Sequence, residues 1–365
     1  MRNRAQRSLL ATVVCTTLVL SGCGGGGGDD VDAAKLNAMS VDELKAEAAK
    51  EGEVSWFTTM YPTETTQKVA DAFTKKYGIE VSVERGSANE TWEKFRTGMA
   101  AKASPADVYS TPTLPLYESA KSAGYVDCYL PKSAEDLDEE YKDKNGCWFS
   151  SRISTFVIAY NTDNVSPDEV PKTWEDLADP RWKGKLGLLD ADTHATGYSS
   201  NYRLSKELGG GSWEDSKDFW TGVGKNKPVL YPQAGPLSNA LSAGEVDVAV
   251  PFGYRAWELQ EQGAPVGVVS PKKGVTANAD YTMLVSGTDQ PHAARLFMHF
   301  LGTPEAMELG VKNAYYYSVR PDVGPFPSDR PKLKSLKLLW PDWDGETKDK
   351  DAWLKMWGEV VAPKS

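Results

Sequence analysis

The stretch from Pro171 to Gly197 reads PKTWEDLADPRWKGKLGLLDADTHATG, and it decides how the rest of the chain is interpreted. Thr173 stands three residues before Asp176, which is the spacing of a helix N-cap with a carboxylate at the third helical position. Asp179-Pro180 then ends this helix, because the residue before a proline is driven out of the helical conformation. The first half of the stretch therefore predicts a short, capped helix that closes in a turn.

The second half of the stretch predicts a buried strand followed by a loop. Leu186 to Leu189 is an apolar run of strand length, and Asp190 to Gly197 is rich in small and hydroxyl residues. A strand that enters a helix through such residues presents free backbone N–H groups to an anion or a polar ligand. An ordinary connection between a strand and a helix has the same local sequence, so both interpretations stay open at this point.

The motifs in this stretch resemble those of a known family. Trp174-Glu175-Asp176-Leu177, followed by Asp179 to Lys185 before the apolar strand, is similar to the bacterial extracellular solute-binding proteins of ABC importers. The resemblance is to the group that binds ferric iron and small organic ligands, and it runs from about Gly52 to Asp322. It implies an α/β, type II periplasmic-binding-protein fold, in which two lobes close on a ligand like a Venus flytrap about hinge crossover strands.

The N-terminus predicts an exported lipoprotein. Arginines precede an apolar run from Leu9 to Leu20 that is too short to span a bilayer as a mature helix. Leu20-Ser21-Gly22-Cys23 resembles a lipobox, which implies that residues 1–22 are a signal peptide and that Cys23 carries lipid, palmitate included. An ordinary signal peptide whose next residue happens to be Cys is the alternative. Gly24 to Gly28 then forms a flexible spacer, so the protein would be anchored to the membrane without spanning it.

Charge and cysteine content agree with an exported globular protein. The chain carries 41 basic and 51 acidic side chains, a net charge of −10, which disfavours binding to nucleic acid or to an anionic membrane surface. Cys15 lies in the leader and Cys23 is the lipid site, so Cys128 and Cys147 remain to form a disulfide. A two-cysteine metal site is the alternative, but no histidine lies near either cysteine in the sequence.

Alternating strand and helix patterns predict two lobes, each built on a mostly parallel sheet. Ile153 to Tyr160 is a β-branched and aromatic run suited to a long strand that leaves the first lobe, and Tyr281 to Val285 returns to it. The predicted organisation is a signal peptide at 1–22, a lipidated Cys, Gly tether and peripheral helix at 23–50, the first part of lobe one at 51–151, lobe two at 152–274, and at 275–365 a return to lobe one with a C-terminal capping segment.

A chain that crosses out and back twice makes the cleft between the lobes the default ligand site. In such sheets, ligands meet the loops at the carboxyl ends of the strands. Each loop alone has the composition of an ordinary solvated turn, and only their shared position favours a site. The candidate ligand-binding residues are Thr59, Ser110, Thr111 and Arg152 from lobe one, and Thr193, Thr196, Gly197, Tyr254 and Arg255 from lobe two.

The resemblance to ferric-iron binders bears on Tyr254 and Arg255. In those binders, a stretch similar to Gly244 to Ala249 leads into two adjacent tyrosines whose phenolates hold the metal. Here Tyr254 keeps the first position, and Arg255 stands at the second. Iron(III) needs hard anionic oxygen ligands, whereas a guanidinium fits a carboxylate or phosphate through a bidentate fork. The main expectation is therefore an anionic organic ligand, with ferric iron as the alternative; Arg255 can also point outward as a solvated charge.

Two other features carry open alternatives. Arg152, just before the crossover strand, is a second candidate contact for an anion, and an interlobe salt bridge explains it equally well. Tyr315-Tyr316-Tyr317 runs into Ser318 to Asp322, which resembles an ordinary turn of the family in lobe one. Packing in the core or between the lobes is therefore expected for these tyrosines in preference to ligation. No metal site and no cofactor is predicted.

The sequence contains no enzyme signature such as His-Glu-x-x-His, Gly-x-Ser-x-Gly or a P-loop. The predicted function is that of the lipid-anchored substrate-binding subunit of a bacterial ABC importer, on the outer face of the cell membrane. It would be a monomer that binds a small molecule by hinge closure, docks on a membrane permease and binds no nucleic acid. An enzyme or a sensor anchored to the surface on the same scaffold is the remaining alternative.

Overall fold

The computed structural model describes residues 33–363. The predicted signal peptide, the lipid site at Cys23 and the glycine tether lie outside these residues. Helix α1 (Ala33–Asn37) belongs to a compact unit of its own, and all later elements belong to a second unit that begins at Met39. None of the helices described combines the length and the apolar character that a membrane span requires.

Strands and helices alternate along the chain, in keeping with the sequence pattern. The strands are β1 (Glu53–Thr58), β2 (Glu80–Arg85), β3 (Val108–Thr111), β4 (Val126–Asp127), β5 (Arg152–Thr155), β6 (Ile158–Asn161), β7 (Leu186–Leu189), β8 (Val229–Tyr231), β9 (Val248–Ala249), β10 (Val266–Val269), β11 (Val275–Ala279), β12 (Tyr281–Val285), β13 (Tyr317–Ser318) and β14 (Leu338–Leu339). The further α-helices are α2 (Val41–Glu51), α3 (Thr63–Tyr77), α4 (Ala88–Ala100), α5 (Leu114–Ser122), α6 (Ala195–Leu208), α7 (Lys217–Lys225), α8 (Ala234–Ser242), α9 (Gly253–Glu261), α10 (Pro291–Leu301), α11 (Pro304–Ala314) and α12 (Trp343–Val360). Short 3₁₀ helices cover Lys132–Ala134, Glu139–Tyr141, Glu175–Ala178, Pro180–Trp182, Glu214–Ser216 and Leu333–Ser335.

Lobe one is built on the sheet β2-β1-β3-β12-β4. Strand β1 runs parallel to β2 and β3, whereas β12 pairs antiparallel with β3 and β4. Val54 and Trp56 on β1 are fully buried, and the Trp56 ring meets Phe297 of α10 with 5.2 Å between ring centroids. Phe73 of α3 packs edge-on against the same Phe297 ring at 4.9 Å. Helices from early and late in the chain therefore cover this sheet together.

A disulfide joins Cys128 and Cys147 in lobe one. The cysteines are 19 residues apart, and the loop between them contains only the 3₁₀ turns Lys132–Ala134 and Glu139–Tyr141. Cys147 is buried in the core cluster of this lobe. The bond therefore ties a loop of little regular structure to the sheet.

Lobe two is built on the sheet β10-β6-β9-β7-β8, with β7 parallel to both β8 and β9. All four residues of β7 are buried, because helices cover both faces of a parallel sheet. The capping pair expected before β7 is present: Asp176 Oδ2 accepts from the Thr173 N–H at 2.9 Å, and the Asp176 N–H donates to Thr173 Oγ1 at 3.3 Å. The helix itself is only the 3₁₀ turn Glu175–Ala178, because Pro180 follows at once.

A third sheet, β13-β5-β11-β14, carries the chain between the lobes. The run from Ile153 to Tyr160, expected as one strand, breaks at Phe156-Val157 into β5 and β6. Phe156 N–H donates to the Thr276 carbonyl, whereas Val157 N–H donates to the Pro251 carbonyl. The break therefore lets the chain leave the crossover sheet and join the sheet of lobe two.

The final helix, α12, packs in the core of lobe two. Trp353 and Trp357 are fully buried there, and the indole N–H groups of Trp353 and Trp220 both donate to Ser205 Oγ, at 3.0 and 2.7 Å. The sequence predicted a return to lobe one over 275–365 with a capping segment at its end. The structure adds a third crossing through β14, because the indoles of α12 fill the space beside α6 and α7.

Candidate functional site

Three tyrosines from different parts of the chain meet beside the crossover strands. Tyr61 follows β1, Tyr316 lies between α11 and β13, and Tyr254 is in the first turn of α9. The Tyr254 and Tyr316 rings stack with centroids 4.4 Å apart, and the Tyr61 ring meets Tyr316 edge-on at 5.7 Å. Tyr254 belongs to a helix of lobe two but packs against the core of lobe one. We call Tyr61, Tyr254 and Tyr316 the tyrosine cluster; it bridges the lobes.

Glycines allow this cluster to form. A Cβ on Gly310 of α11 would lie 2.5 Å from Tyr61 Oη, so only glycine leaves room for this ring. A Cβ on Gly253 would lie 2.7 Å from Thr155 Oγ1, so α9 can begin directly against the end of β5. The close approach of α9 to the crossover strand is what brings Tyr254 to lobe one.

Arg152 and Asp280 form a buried ion pair beside the tyrosine cluster. Arg152 Nη2 lies 2.6 Å from Asp280 Oδ1, and the two side chains are 7% and 0% exposed. The guanidinium carbon is 4.1 Å from the centroid of the Tyr316 ring and 5.5 Å from that of Tyr61. Asp280 joins β11 to β12, so the pair connects two crossover segments. Arg152 thus has a salt-bridge partner, but on a neighbouring crossover segment and not across the two lobes. Its contact with a ligand stays a prediction.

Burial and Arg152 act in opposite directions on the phenols. Burial raises the pKa of Tyr61 to about 12, and the charge of Arg152 works against this rise. Burial, together with Tyr254, raises the pKa of Tyr316 well above its ordinary value, again opposed by Arg152. Burial works to lower the pKa of Arg152, but Asp280 and the phenols outweigh it, and the guanidinium stays charged. The phenols are therefore protonated at neutral pH unless a cation beside them displaces the protons.

Arg255 already has a carboxylate partner. Its Nη1 lies 2.7 Å from Glu258 Oε2 on the same helix, and its side chain is 36% exposed. The guanidinium carbon lies 5.5 Å from the centroid of the Tyr254 ring. The side chain is therefore neither a purely solvated charge nor a cation without a counter-ion.

The candidate hydroxyls of lobe one differ in their surroundings. Ser110 Oγ accepts from the indole N–H of Trp56 at 3.0 Å and bonds Thr282 Oγ1 at the same distance. Thr111 Oγ1 accepts weakly from the N–H of Thr113, at 3.4 Å. Both side chains are fully buried and serve the core. Thr59 Oγ1 is buried and has no hydrogen-bond partner within residues 33–363, so it is the lobe-one hydroxyl best suited to a ligand.

The candidate residues on the loop after β7 also differ in their surroundings. Thr193 Oγ1 donates to Asp190 Oδ2 at 3.1 Å on the exposed side of the loop. Gly197 N–H donates to His194 Nδ1 at 3.0 Å, and a Cβ on Gly197 would lie 3.0 Å from the Leu189 Cβ, so this glycine serves helix packing. Thr196 lines a cavity of about 310 Å³ that no member of the tyrosine cluster lines. The predicted residues therefore do not form one group.

Three residues at the site were not among the predicted ones. Tyr61 lies two residues after Thr59, a predicted ligand contact. Tyr316 was assigned to packing, which its stacking on Tyr254 does provide. Asp280 is an acidic residue in an otherwise apolar and small-residue run, which was the only local signal available. No group of three or more His, Cys, Asp or Glu side chains suited to a metal ion occurs in the described chain.

The chain is similar to known proteins over most of its length. Residues 104–348 match the family model of bacterial extracellular solute-binding proteins. Iron uptake protein A1 of Synechocystis sp. is 28% identical over 298 residues, which cover 74% of this chain and 80% of the relative. The Fe(3+)-binding periplasmic protein of Serratia marcescens is 25% identical over 283 residues, covering 74% of this chain and 78% of the relative.

Solved structures share the fold. Iron-bound HitA from Pseudomonas aeruginosa superposes with a TM-score of 0.69 at 22% identity, covering 84% of this chain and 99% of that one. AfuA from Actinobacillus pleuropneumoniae, with fructose-6-phosphate bound, also gives 0.69, at 21% identity, covering 86% and 100%. The predicted two-lobed, type II periplasmic-binding-protein fold is confirmed by these likenesses.

Proposed function

The chain belongs to the bacterial extracellular solute-binding proteins, and from this membership we propose that the solute it captures in its cleft is ferric iron. As a member of this family it is a binding protein and not an enzyme, and it delivers a small ligand to the permease of an ABC importer. The two named relatives, an iron uptake protein and an Fe(3+)-binding protein, support the choice of solute.

The tyrosine cluster is the observation that carries this proposal. Iron(III) prefers hard anionic oxygen ligands, and tyrosine phenolate is such a ligand. Three phenolates would balance the three charges of the ion, while the neighbouring Arg152–Asp280 pair adds no net charge when Asp280 is ionised. A buried site with no excess charge is what the low dielectric inside a protein favours.

In the sequence, Arg152 and Arg255 favoured an anionic ligand over iron. In the structure, their positive charges are offset by neighbouring carboxylates. Glu258 offsets the charge of Arg255, and Asp280 offsets that of Arg152. Arg152 also lowers the pKa values of Tyr61 and Tyr316 relative to burial alone, which favours the phenolate form that iron needs. Binding would release protons from the phenols, so the affinity for iron should rise with pH.

Titration of the metal-free protein with ferric nitrilotriacetate tests the proposal. We expect a visible absorption band from charge transfer between phenolate and iron, with release of protons into weakly buffered solution. Tyr254→Phe and Tyr316→Phe should abolish the band, and Tyr61→Phe should weaken or shift it. Tyr315→Phe is the matched control, because Tyr315 is adjacent in sequence but packs on Phe326, with centroids 5.7 Å apart.

The proposal fails if ferric iron produces neither the band nor a rise in melting temperature. It also fails if Tyr254→Phe and Tyr316→Phe bind iron as the wild-type protein does. An unchanged result for Tyr315→Phe together with loss in the two cluster variants excludes a general effect of removing a tyrosine.

A small organic anion is the second candidate solute, and one observation favours it. Arg152 and Arg255 each have a buried Nε–H without a hydrogen-bond partner in residues 33–363. A carboxylate or phosphate that accepts from these groups would satisfy them. Stabilisation of the metal-free protein by such an anion, lost in Arg255→Ala, would replace iron by this candidate.

Lipid anchoring at Cys23 and a monomeric state complete the proposal. Cys23→Ala should move the expressed protein from the membrane fraction to the soluble one, since a lipid-modified cysteine is what holds a protein of this kind at the surface. Retention of the variant in the membrane fraction would contradict the anchor. Sedimentation of the purified protein at several concentrations tests the oligomeric state.

A further inference from the structure

Arg330, in the segment between β13 and β14, is a buried arginine without an acidic partner. The residue is 3% exposed, and no carboxylate of residues 33–363 lies within 4.0 Å of its guanidinium. Its partners are backbone carbonyls and aromatic rings instead. A buried charge is costly unless such contacts replace the water that it has lost. The residues that make these contacts therefore show what Arg330 does.

Two of the contacts lie on either side of Tyr316, a member of the tyrosine cluster. Arg330 Nη1 donates to the Tyr315 carbonyl at 2.6 Å, and the guanidinium carbon lies 3.6 Å from the centroid of the Tyr317 ring. Tyr315 and Tyr317 are the residues immediately before and after Tyr316. Arg330 therefore holds the short stretch of backbone from which the Tyr316 side chain projects.

The backbone of Tyr315 depends on contacts of this kind. Tyr315 ends α11 with a φ of 58°, in the left-handed region that a bulky residue seldom adopts. Such conformations persist only where the surrounding structure determines them. Arg330 Nη1 also donates to the Phe326 carbonyl at 3.2 Å, and the Phe326 ring packs on the Tyr315 ring. The turn that leads into Tyr316 is therefore held by one guanidinium and one aromatic ring.

Arg330 also contacts the helix that carries Tyr254. Its guanidinium carbon lies 5.4 Å from the centroid of the Trp257 ring, and Trp257 is buried. Trp257 follows Tyr254 by three residues on α9, so both side chains lie on the same side of this helix. The Tyr254 ring in turn stacks on Tyr316. A single side chain therefore touches both of the segments whose tyrosines stack in the cluster.

We propose that Arg330 is a positioning residue for iron binding, which sets the separation of the Tyr254 and Tyr316 phenols without contacting the ion. The inference rests on the proposed function, since it takes these phenols to be ligands of the metal. Arg152 has a different role: it lies against the Tyr316 ring, where its charge opposes the burial that raises the pKa of Tyr316. Ligands that are already held in place lose less conformational entropy when they bind, so Arg330 would increase the affinity for iron.

Titration of metal-free Arg330→Met with ferric nitrilotriacetate, with citrate as competitor, tests this role. Residues that orient metal ligands typically change metal affinity by about 10–100-fold, and we expect the dissociation constant to rise within that range. We also expect the phenolate-to-iron band of the saturated variant to shift or to lose intensity. A residue that only stabilises the fold would leave the band of the saturated protein unchanged.

Arg320→Met is the matched control. Arg320 also follows β13 and donates to a backbone carbonyl, that of Ser133, at 3.0 Å, but its charge is paired with Asp322. This variant should keep the wild-type affinity and band. Two variants of Tyr317 test the stacking contact independently: Tyr317→Leu should resemble Arg330→Met, whereas Tyr317→Phe keeps the ring face and should bind iron tightly. If Arg330→Met does not fold, equal affinities of the two Tyr317 variants would overturn the proposal.

Hydrogen exchange in the metal-free protein measures the positioning effect without iron. The amides of residues 315 to 318 and of the first turn of α9 should exchange faster in Arg330→Met than in Arg320→Met. If the wild-type protein binds iron and Arg330→Met keeps its affinity and band, the role of Arg330 alone is overturned. If the wild-type protein shows no band, iron capture is refuted, and equal exchange in the two variants would then overturn the positioning role as well.

Discussion

Asp280→Asn is expected to destabilise the protein strongly, because it leaves Arg152 buried without its carboxylate partner. The Arg152 side chain is 7% exposed, and a guanidinium keeps its proton at every pH at which proteins fold. Breaking a buried ion pair by removing one partner costs about 3–5 kcal/mol. We therefore expect the free energy of unfolding to fall by about that amount at pH 8, where Asp280 of the wild-type protein is ionised.

Arg152→Met should behave differently, because Asp280 can take up a proton. Burial raises the pKa of Asp280 to about 7 even against the opposing charge of Arg152, and without Arg152 the pKa rises further. When the pKa of a carboxyl is higher in the folded state than in the unfolded state, the free energy of unfolding falls as the pH rises between these two pKa values. The free energy of unfolding of Arg152→Met should fall by up to about 1.4 kcal/mol per pH unit from pH 6 to 8.

Urea denaturation at pH 6 and pH 8 measures these effects in the two single variants and in Arg152→Met/Asp280→Asn. The double variant should be more stable than Asp280→Asn, because no buried charge remains in it. Glu84→Gln serves as the control: it breaks an ion pair with Lys94 in which both side chains are exposed, and it should cost less than about 1 kcal/mol. If Asp280→Asn lowers the free energy of unfolding no more than Glu84→Gln does, the reasoning about the buried pair is refuted.

Three further variants test other parts of the structure. Because burial raises the pKa of Glu346 from 4.5 to about 7, the wild-type protein should lose stability as the pH rises through this interval; Glu346→Gln should remove up to roughly 3 kcal/mol of that loss, and an unchanged pH profile would contradict it. Trp353→Ala removes a fully buried indole of α12 and should lower the free energy of unfolding, measured in urea, by about 3–5 kcal/mol. A change below about 1 kcal/mol would contradict the packing of α12 in the core of lobe two. Replacing Cys128 and Cys147 by Ser opens a loop with a sequence separation of 19 and should lower the free energy of unfolding by about 3 kcal/mol, an effect that the wild-type protein should reproduce in reducing agent.

Local features of the chain were predictable because they depend on neighbours in sequence. Thr173 and Asp176 form their reciprocal cap through residues three apart, and Leu186 to Leu189 is a strand because an apolar run of that length is buried on both faces. The alternation of such elements predicted the α/β fold, and the stretch from Gly244 to Ala249 directed attention to Tyr254. The lengths of the elements differed from the prediction, since Pro180 restricts the helix that follows Thr173 to one 3₁₀ turn.

The candidate site depended on contacts between distant segments. Tyr61, Tyr254 and Tyr316 are brought together only by β1, α9 and the end of α11 packing around the crossover sheet. The sequence shows each tyrosine but not which residues it contacts, since hydrophobic burial is non-directional and does not specify which distant side chains meet. The same limit applied to Arg152, whose residue type suited either a ligand or a salt bridge until Asp280 was found 2.6 Å away.

The sequence by itself determined the family resemblance, the alternating elements of the two lobes, and the capped turn, strand and loop from Pro171 to Gly197. Tertiary structure alone decided that α12 completes lobe two and lines a cavity with Lys350, and that the arginines beside the cleft have carboxylate partners. The physical reason is that capping and periodicity act over a few residues, whereas ion pairs and cavities depend on the final packing of the whole chain.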